Sequence, residues 1–210
     1  MIETGLIVHI VDDDVSFLTA ISRLLSANDF SVKTFSSGPE FLSQLQGSPK
    51  GCVISDLQMP GMSGLDLQEA LLRAGKSMPV IILTSKGDIP NSVHAMRNGA
   101  EDFLEKHAPK ETILAAVRRA LARAEREIAV KAHARKLRER FGVLSAREIE
   151  VLAQVVRGKL NKQIAADLEI SERTVKFHRA AITTKLKVPS VAELTRLAQE
   201  SGLFKNDLLS

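Results

Sequence analysis

The sequence predicts an α/β doubly wound (βα)5 domain followed by an all-α domain, the two joined by a long helical linker. Three observations carry that expectation. Within residues 1–120, short apolar runs alternate five times with amphipathic stretches of helical period. From Pro109 onward the pattern stays helical. The charge also divides: residues 1–120 carry 11 Lys/Arg against 14 Asp/Glu, whereas residues 121–210 carry 18 against 11. A mildly acidic half joined to a basic half points to two domains, the second facing a polyanion.

Strands are expected at 6–11 (LIVHIV), 31–36 (SVKTFS), 52–56 (CVISD), 79–85 (PVIILTS) and 101–106 (EDFLEK). Helical patterns lie between them at 15–27, 38–45, 65–73 and 89–98, and from 110 onward. Several of the strands are apolar throughout, which fits a parallel sheet covered by helices on both faces. Turn residues agree, with MPGMSG (59–64) and Asn98-Gly99 falling between elements. In the last helix of this half, Leu114, Val117, Leu121, Ala124 and Ile128 form a heptad-like stripe that fails where Lys131 and Arg135 would fall on it. The first part is therefore expected to pack on the sheet. The rest, 121–143, is expected to be an exposed charged helix or linker, with a dimeric coil as the alternative. A second domain, 144–205, opens with a capping box: Ser145 offers an oxygen to an orphan amide and Glu148 reaches back.

Composition narrows the class. The chain has 210 residues, an apolar fraction of 44% and a charged fraction of 26%, ordinary values for a soluble globular protein. Its single cysteine, Cys52, sits in an apolar run and can build neither a disulfide framework nor, alone, a thiolate metal site. The apolar run at the N-terminus is too short for a signal peptide or a membrane span, so a cytoplasmic location without membrane contact is expected.

The chemistry gathers at the strand ends, where a doubly wound sheet collects its ligands. Asp12, Asp13 and Asp14 follow the first strand, Asp56 ends the third, Thr84 and Ser85 end the fourth, and Lys106 ends the fifth. Adjacent carboxylates repel one another unless a cation sits among them. Oxygen ligands of this kind suit a hard cation such as Mg²⁺. A metal with open positions beside a carboxylate is equipped for phosphoryl transfer, with the carboxylate attacking phosphorus. The same residues also fit a salt-bridge cluster without chemistry. Asp14 reads as a helix N-cap.

Residues 5–125 resemble the receiver domain of two-component response regulators. The acidic pair Asp12-Asp13, the aspartate of SDLQMPGMSG, a threonine ending strand four and a lysine ending strand five recur in that order. The resemblance implies that Asp56 is the phosphoacceptor. It implies a Mg²⁺ site of Asp12, Asp13, Asp56 and the backbone carbonyl of Gln58. Thr84 and Lys106 would contact the phosphoryl group, and Phe103 would be the aromatic that rotates inward. Read from its strand alone, Phe103 is a buried core residue. One departure stands out. The family usually has Lys-Pro, often with a cis peptide, where this chain has Lys106-His107.

In the C-terminal half, NKQIAADLEISERTVKFHRAAITTKL (161–186) sets Ile164, Ala165, Leu168, Ile170, Val175 and Ile182 where two helices meet at a tight turn. Ser171 is placed to cap a second helix carrying Arg173, Lys176, His178 and Arg179. A basic second helix after a short turn is the helix-turn-helix plan. The stretch resembles the LuxR/FixJ-type output domain, which usually has glycine where Glu169 stands. That resemblance implies base contacts from Lys176, Phe177 and Ala180. It makes Lys162, Ser171, Arg173, Thr174 and Arg179 candidates for phosphate contacts.

Together the halves resemble a DNA-binding response regulator of the FixJ/StyR group with NarL/LuxR-type output. The resemblance implies a sensor histidine kinase, double-stranded promoter DNA and RNA polymerase as partners, and, on phosphorylation, homodimerisation or release of the output domain. It implies no separate substrate turnover. Two other readings exist. Asp12-x-Asp14 hints at the DxDx[TV] signature of aspartate-nucleophile phosphatases, but the fifth position is Ser16 and a substrate cap has no room. An atypical receiver controlled by partner or ligand binding, without phosphorylation, draws its support from Lys106-His107.

Overall fold

Apolar residues on both faces of a strand demand cover on both sides, and the fold supplies it. The computed structural model describes residues 5–45, 49–76, 78–85 and 89–203; the expected boundary at residue 205 lies outside them. The chain separates into two compact units, Met1–Ile128 and Ala129–Ser210. The first contains β1 (Ile7–Val11), α1 (Val15–Ser26), β2 (Ser31–Phe35), α2 (Gly38–Gln44), β3 (Gly51–Asp56), α3 (Gly64–Arg73), β4 (Val80–Thr84), α4 (Ile89–Arg97) and β5 (Asp102–Glu105). Helix α5 (Lys110–Phe141) spans the division.

The five strands are all parallel, in the order β2-β1-β3-β4-β5. On one face Val8, Ile10, Cys52, Ile54, Ile81 and Leu83 pack with Leu18, Ile21 and Leu25 of α1 and with Ile113, Leu114 and Val117 of α5. On the other face Val11, Phe35, Val53, Val80 and Ile82 pack with Phe41 of α2, Leu67 and Leu71 of α3, and Ala95 of α4. The period-2 alternation of a strand assigns each residue to its face. Burial pushes the Cys52 thiol up to about 12, as befits an inert core residue.

Midway along β1, His9 departs from this apolar pattern. It is buried, with its ring 5.9 Å from that of Phe35 and 5.4 Å from that of Phe41. Both imidazole nitrogens are buried without a well-aligned hydrogen-bond partner, a Lys50 backbone contact being the nearest to one. Burial, and then the nearby charge of Lys33, pull its pKa down to about 4, so the ring is neutral near pH 7.

The second unit holds α6 (Ala146–Val156), α7 (Asn161–Asp167), α8 (Glu172–Leu186) and α9 (Val191–Ser201). The expected capping box is present at α6, where Ser145 Oγ accepts from the Glu148 amide and Glu148 accepts from the Ser145 amide. The Lys185 ammonium, 2.8 Å from Glu148, and that amide hold the Glu148 carboxyl below its usual range. The core of this unit takes Leu137 and Phe141 from the end of α5, so the stretch expected as linker is partly core. Arg138 donates to the Ser201 carbonyl at 2.7 Å, and Arg140 to the Leu186 carbonyl at 2.6 Å. Two guanidinium groups thereby satisfy the carbonyl ends of α9 and α8. Glu169 adopts φ 51°, the left-handed conformation in which its usual counterpart is glycine, so the turn keeps its geometry and the glutamate carries the strain.

Candidate functional site

Strand register brings the acidic residues together. Val11 pairs with Ser55, so Asp12 and Asp56, one residue further on each strand, stand side by side at the switch between β1 and β3. Asp56 in turn pairs with Leu83, which places Thr84 just beyond, and Thr84 pairs with Glu105, which places Lys106 just beyond. Backbone bonds extend this register past the strands: Leu57 donates to the Leu83 carbonyl and Lys106 to the Thr84 carbonyl, each at 2.7 Å.

The loop after β3 needs glycine at two positions. Gly61 turns at φ 77°, and a Cβ on Gly64 would lie 2.3 Å from the Asp56 carbonyl oxygen. The backbone thus closes tightly under Asp56 before Ser63 caps α3. Asp14 caps α1 as expected, accepting from the amides of Ser16 at 2.8 Å and Phe17 at 3.2 Å. That role keeps its carboxylate on the helix terminus.

Asp12 is 1% exposed, and Asp56 and Thr84 are also buried; Asp13 is exposed. The Lys106 ammonium lies 2.7 Å from Asp12 Oδ2 and 3.3 Å from Asp56 Oδ2. It also sits 4.7 Å from the centre of the Phe17 ring. Burial, with the neighbouring Asp12 charge, raises the Asp56 carboxyl against the opposing pull of Lys106. Lys106 loses basicity to burial, but its close ion-pair contacts to Asp12 and Asp56 outweigh that and raise its pKa. The Lys106-His107 peptide is trans, and the lysine is nonetheless seated in the pocket.

The residues fit a divalent cation. Carboxylate oxygens of Asp12, Asp13 and Asp56 lie within 4.8 Å of one another. Asp12 Oδ2 is buried and receives no aligned hydrogen bond, its contact with Lys106 being an ion pair. A hard, oxygen-seeking ion would satisfy that oxygen. Gln58 is exposed, two residues beyond Asp56. Phe103 is partly buried against the core face that includes Ile82, away from the carboxylates in sequence but on the strand that ends at the lysine. Phe17 was not legible as part of the site. Its one signal is its place in the first turn of α1, three residues past the Asp14 cap.

In the second unit, Ser171 caps α8, its Oγ accepting from the Thr174 amide at 3.1 Å and lying 2.8 Å from Thr174 Oγ1. Lys162, Arg173, Lys176, Phe177 and Ala180 are exposed, and Thr174 is partly so. Arg179 donates through Nη1 to Asn161 Oδ1 at 2.8 Å, which ties α8 to the start of α7 and commits one arm of that guanidinium. Neither Asn161 nor the α5 arginines that cap α8 and α9 carried a sequence signal.

A chain whose sheet gathers three carboxylates, a hydroxyl and a lysine, and whose separate unit carries a basic helix after a tight turn, has the plan of a signal-controlled DNA-binding protein. Residues 8–118 match the response regulator receiver domain, and residues 142–198 match the bacterial regulatory proteins of the luxR family. The chain belongs to the two-component response regulators with a LuxR-type helix-turn-helix, which regulate transcription. It is 42% identical over 199 residues to the response regulator protein TodT of Pseudomonas putida, covering 95% of this chain and 88% of that one. It is 40% identical over 202 residues to the transcriptional regulatory protein FixJ of Rhizobium meliloti, covering 95% and 98%. Among solved structures, the response regulator StyR matches with a TM-score of 0.74 and 38% identity over 92% of this chain and 98% of that chain. Full-length FixJ from B. japonicum matches with a TM-score of 0.57 and 36% identity over 95% and 98%. No helix among the described residues is long and apolar enough to cross a membrane.

Proposed function

We propose that Asp56 accepts a phosphoryl group from a sensor histidine kinase, and that this event controls DNA binding by the second unit. The observation that carries the reading is the Lys106 ammonium held between two buried carboxylates at the ends of β1 and β3. Asp12, Asp13 and Asp56, with the Gln58 carbonyl, are assigned to Mg²⁺, which when bound supplies positive charge to the phosphoryl oxygens. An Asp56 carboxylate oxygen attacks phosphorus, the bond from phosphorus to the donor imidazole breaks, and an acyl phosphate results. Lys106 places a point charge against the transferred group, and the Thr84 hydroxyl offers it a donor. Phe103 is assigned to the accompanying rearrangement. The receiver assists its own phosphorylation and dephosphorylation and turns over no separate substrate.

Phosphorylation then favours a homodimer. Ile89, Val93 and Met96 are exposed apolar residues on α4, spaced to form one stripe, and they support this assignment. Two output units would place their α8 helices on half-sites one helical turn apart in promoter DNA, where RNA polymerase responds. Within α8, Lys176, Phe177 and Ala180 are assigned to base edges. Lys162, Ser171, Arg173, Thr174 and Arg179 are assigned to phosphates, which position the protein without reading sequence.

Intact-mass measurement after incubation with Mg²⁺ and acetyl phosphate tests the first step. One phosphoryl group is expected on the wild type and none on Asp56→Asn. Labelling of Asp56→Asn would overturn the assignment. No label on the folded wild type, from acetyl phosphate or from a kinase, would favour control by partner or ligand binding instead.

A further inference from the structure

Helix α8 presents one exposed face. Arg173, Lys176, Phe177, Ala180 and Thr184 are all exposed, at helical spacings of three and four, while Val175, Ile182 and Leu186 are buried in the core. On that face Phe177 is 70% exposed. Its ring meets that of His178 edge-on at 5.9 Å, but it contributes nothing to the buried core. A phenyl ring left largely in water within a helix of four Lys/Arg and one acidic residue is not a packing device. Its surroundings match a polyanion, and its chemistry must match something apolar on that polyanion.

The major groove offers one such feature. Base edges there present hydrogen-bond donors and acceptors, and the sole apolar group is the C5-methyl of thymine. A phenyl ring has neither donor nor acceptor. Against the amino group of cytosine or the acceptors of guanine it would desolvate a polar group without pairing it, which is unfavourable. Against a thymine methyl it buries apolar surface on both partners. Ala180, one turn further on, is small and leaves the neighbouring surface low.

We propose that Phe177 is a specificity-determining residue that reads thymine through its C5-methyl group. The proposal rests on the assignment of α8 to the major groove.

The test begins by letting the full-length phosphorylated protein select sites from a random-sequence duplex pool. Each thymine of the selected site is then replaced in turn by deoxyuridine, which removes the methyl and keeps every hydrogen-bonding group. At one position per half-site the wild type is expected to lose affinity about fourfold, or about 0.8 kcal/mol for one buried methyl. Phe177→Ala should bind thymine and uracil sites equally there, and Phe177→Leu should retain part of the discrimination. Because the ring is exposed, both variants should melt with the wild type. Salt-dependent binding that is indifferent to uracil at every position would overturn the proposal while leaving DNA binding intact. Equal uracil sensitivity in the wild type and Phe177→Ala would also overturn it, by assigning the methyl to another residue. An unchanged affinity and site preference in Phe177→Ala would give the ring to a protein partner instead. If no duplex is bound at all, the DNA-binding assignment itself fails, and the proposal with it.

Discussion

Lys106 Nζ lies 2.7 Å from Asp12 Oδ2, closer than the 3.3 Å to Asp56 Oδ2, so the lysine is first the counter-ion of the deepest carboxylate. The buried Asp12 carboxylate at the adjacent strand end adds to burial in raising the Asp56 carboxyl. The lysine opposes that rise, and its ammonium sits 4.7 Å from the centre of the Phe17 ring.

Removing that cation should therefore be costly without metal. Lys106→Met is expected to lose about 3 kcal/mol in urea unfolding, since truncating one partner leaves buried charge uncompensated. Saturating Mg²⁺ should then stabilise the variant more than it stabilises the wild type. A loss below about 1 kcal/mol, typical of an exposed pair, would show that the contact is not a buried ion pair.

His9 sets a pH dependence of its own. Its folded pKa is about 4 against an ordinary 6.5, so between those values the unfolded chain binds the proton and the folded chain does not. Stability is therefore greatest above pH 6.5 and falls as pH drops toward 4, by about 3 kcal/mol from this residue. His9→Leu removes two buried nitrogens that lack well-aligned partners. It is expected to gain about 1 kcal/mol at pH 7 and to flatten the slope between pH 6.5 and 4. Urea midpoints at several pH values provide the check; an unchanged slope would assign the acid sensitivity elsewhere.

The DNA-binding unit should need the end of α5. Leu137 and Phe141 are both buried in its core, and fully burying such side chains contributes about 1.5–3 kcal/mol each. A fragment beginning at residue 129 is expected to unfold cooperatively. One beginning at residue 144 should be less stable by several kcal/mol, or not fold. Within the full chain, Arg140→Ala should destabilise this unit by about 1–2 kcal/mol through the freed Leu186 carbonyl. Equal stability of the two fragments would contradict the burial.

Glu169 is a site of removable strain. At φ 51° a glutamate is disfavoured and glycine is not. Glu169→Gly is expected to stabilise the second unit by about 0.5–1 kcal/mol, offset in part by the greater freedom of glycine in the unfolded chain. Thermal melting measures it, and a lower melting temperature would mean that the glutamate side chain makes a compensating contact.

The two-domain plan and the strand positions were legible because they depend on local patterning. Apolar runs on both faces announce a parallel sheet, and Ser145-Ala-Arg-Glu148, Ser171 and Asp14 announce helix starts by the hydrogen bonds their side chains can reach. The candidate residues Asp12, Asp56, Thr84 and Lys106 were legible for the same reason, since each follows or ends a strand and strand ends of this sheet share one edge.

Other features depended on which distant residues meet. The later part of α5 reads as a charged linker, because Leu137 and Phe141 are isolated apolar residues whose partners come from four later helices. His9 fits a strand pattern, and its neutrality follows only from the burial and the Phe35 and Phe41 rings that enclose it. Phe17 joins the site only because folding places the lysine from the far end of the chain's first half beside it. What the sequence determined by itself was the order of elements and the residues at their ends, where hydrogen bonding and periodicity act within a few positions. Tertiary structure alone decided which charges face one another, which histidine is desolvated and which aromatic remains in water. Burial and distance are properties of the packed chain, not of any short stretch of it.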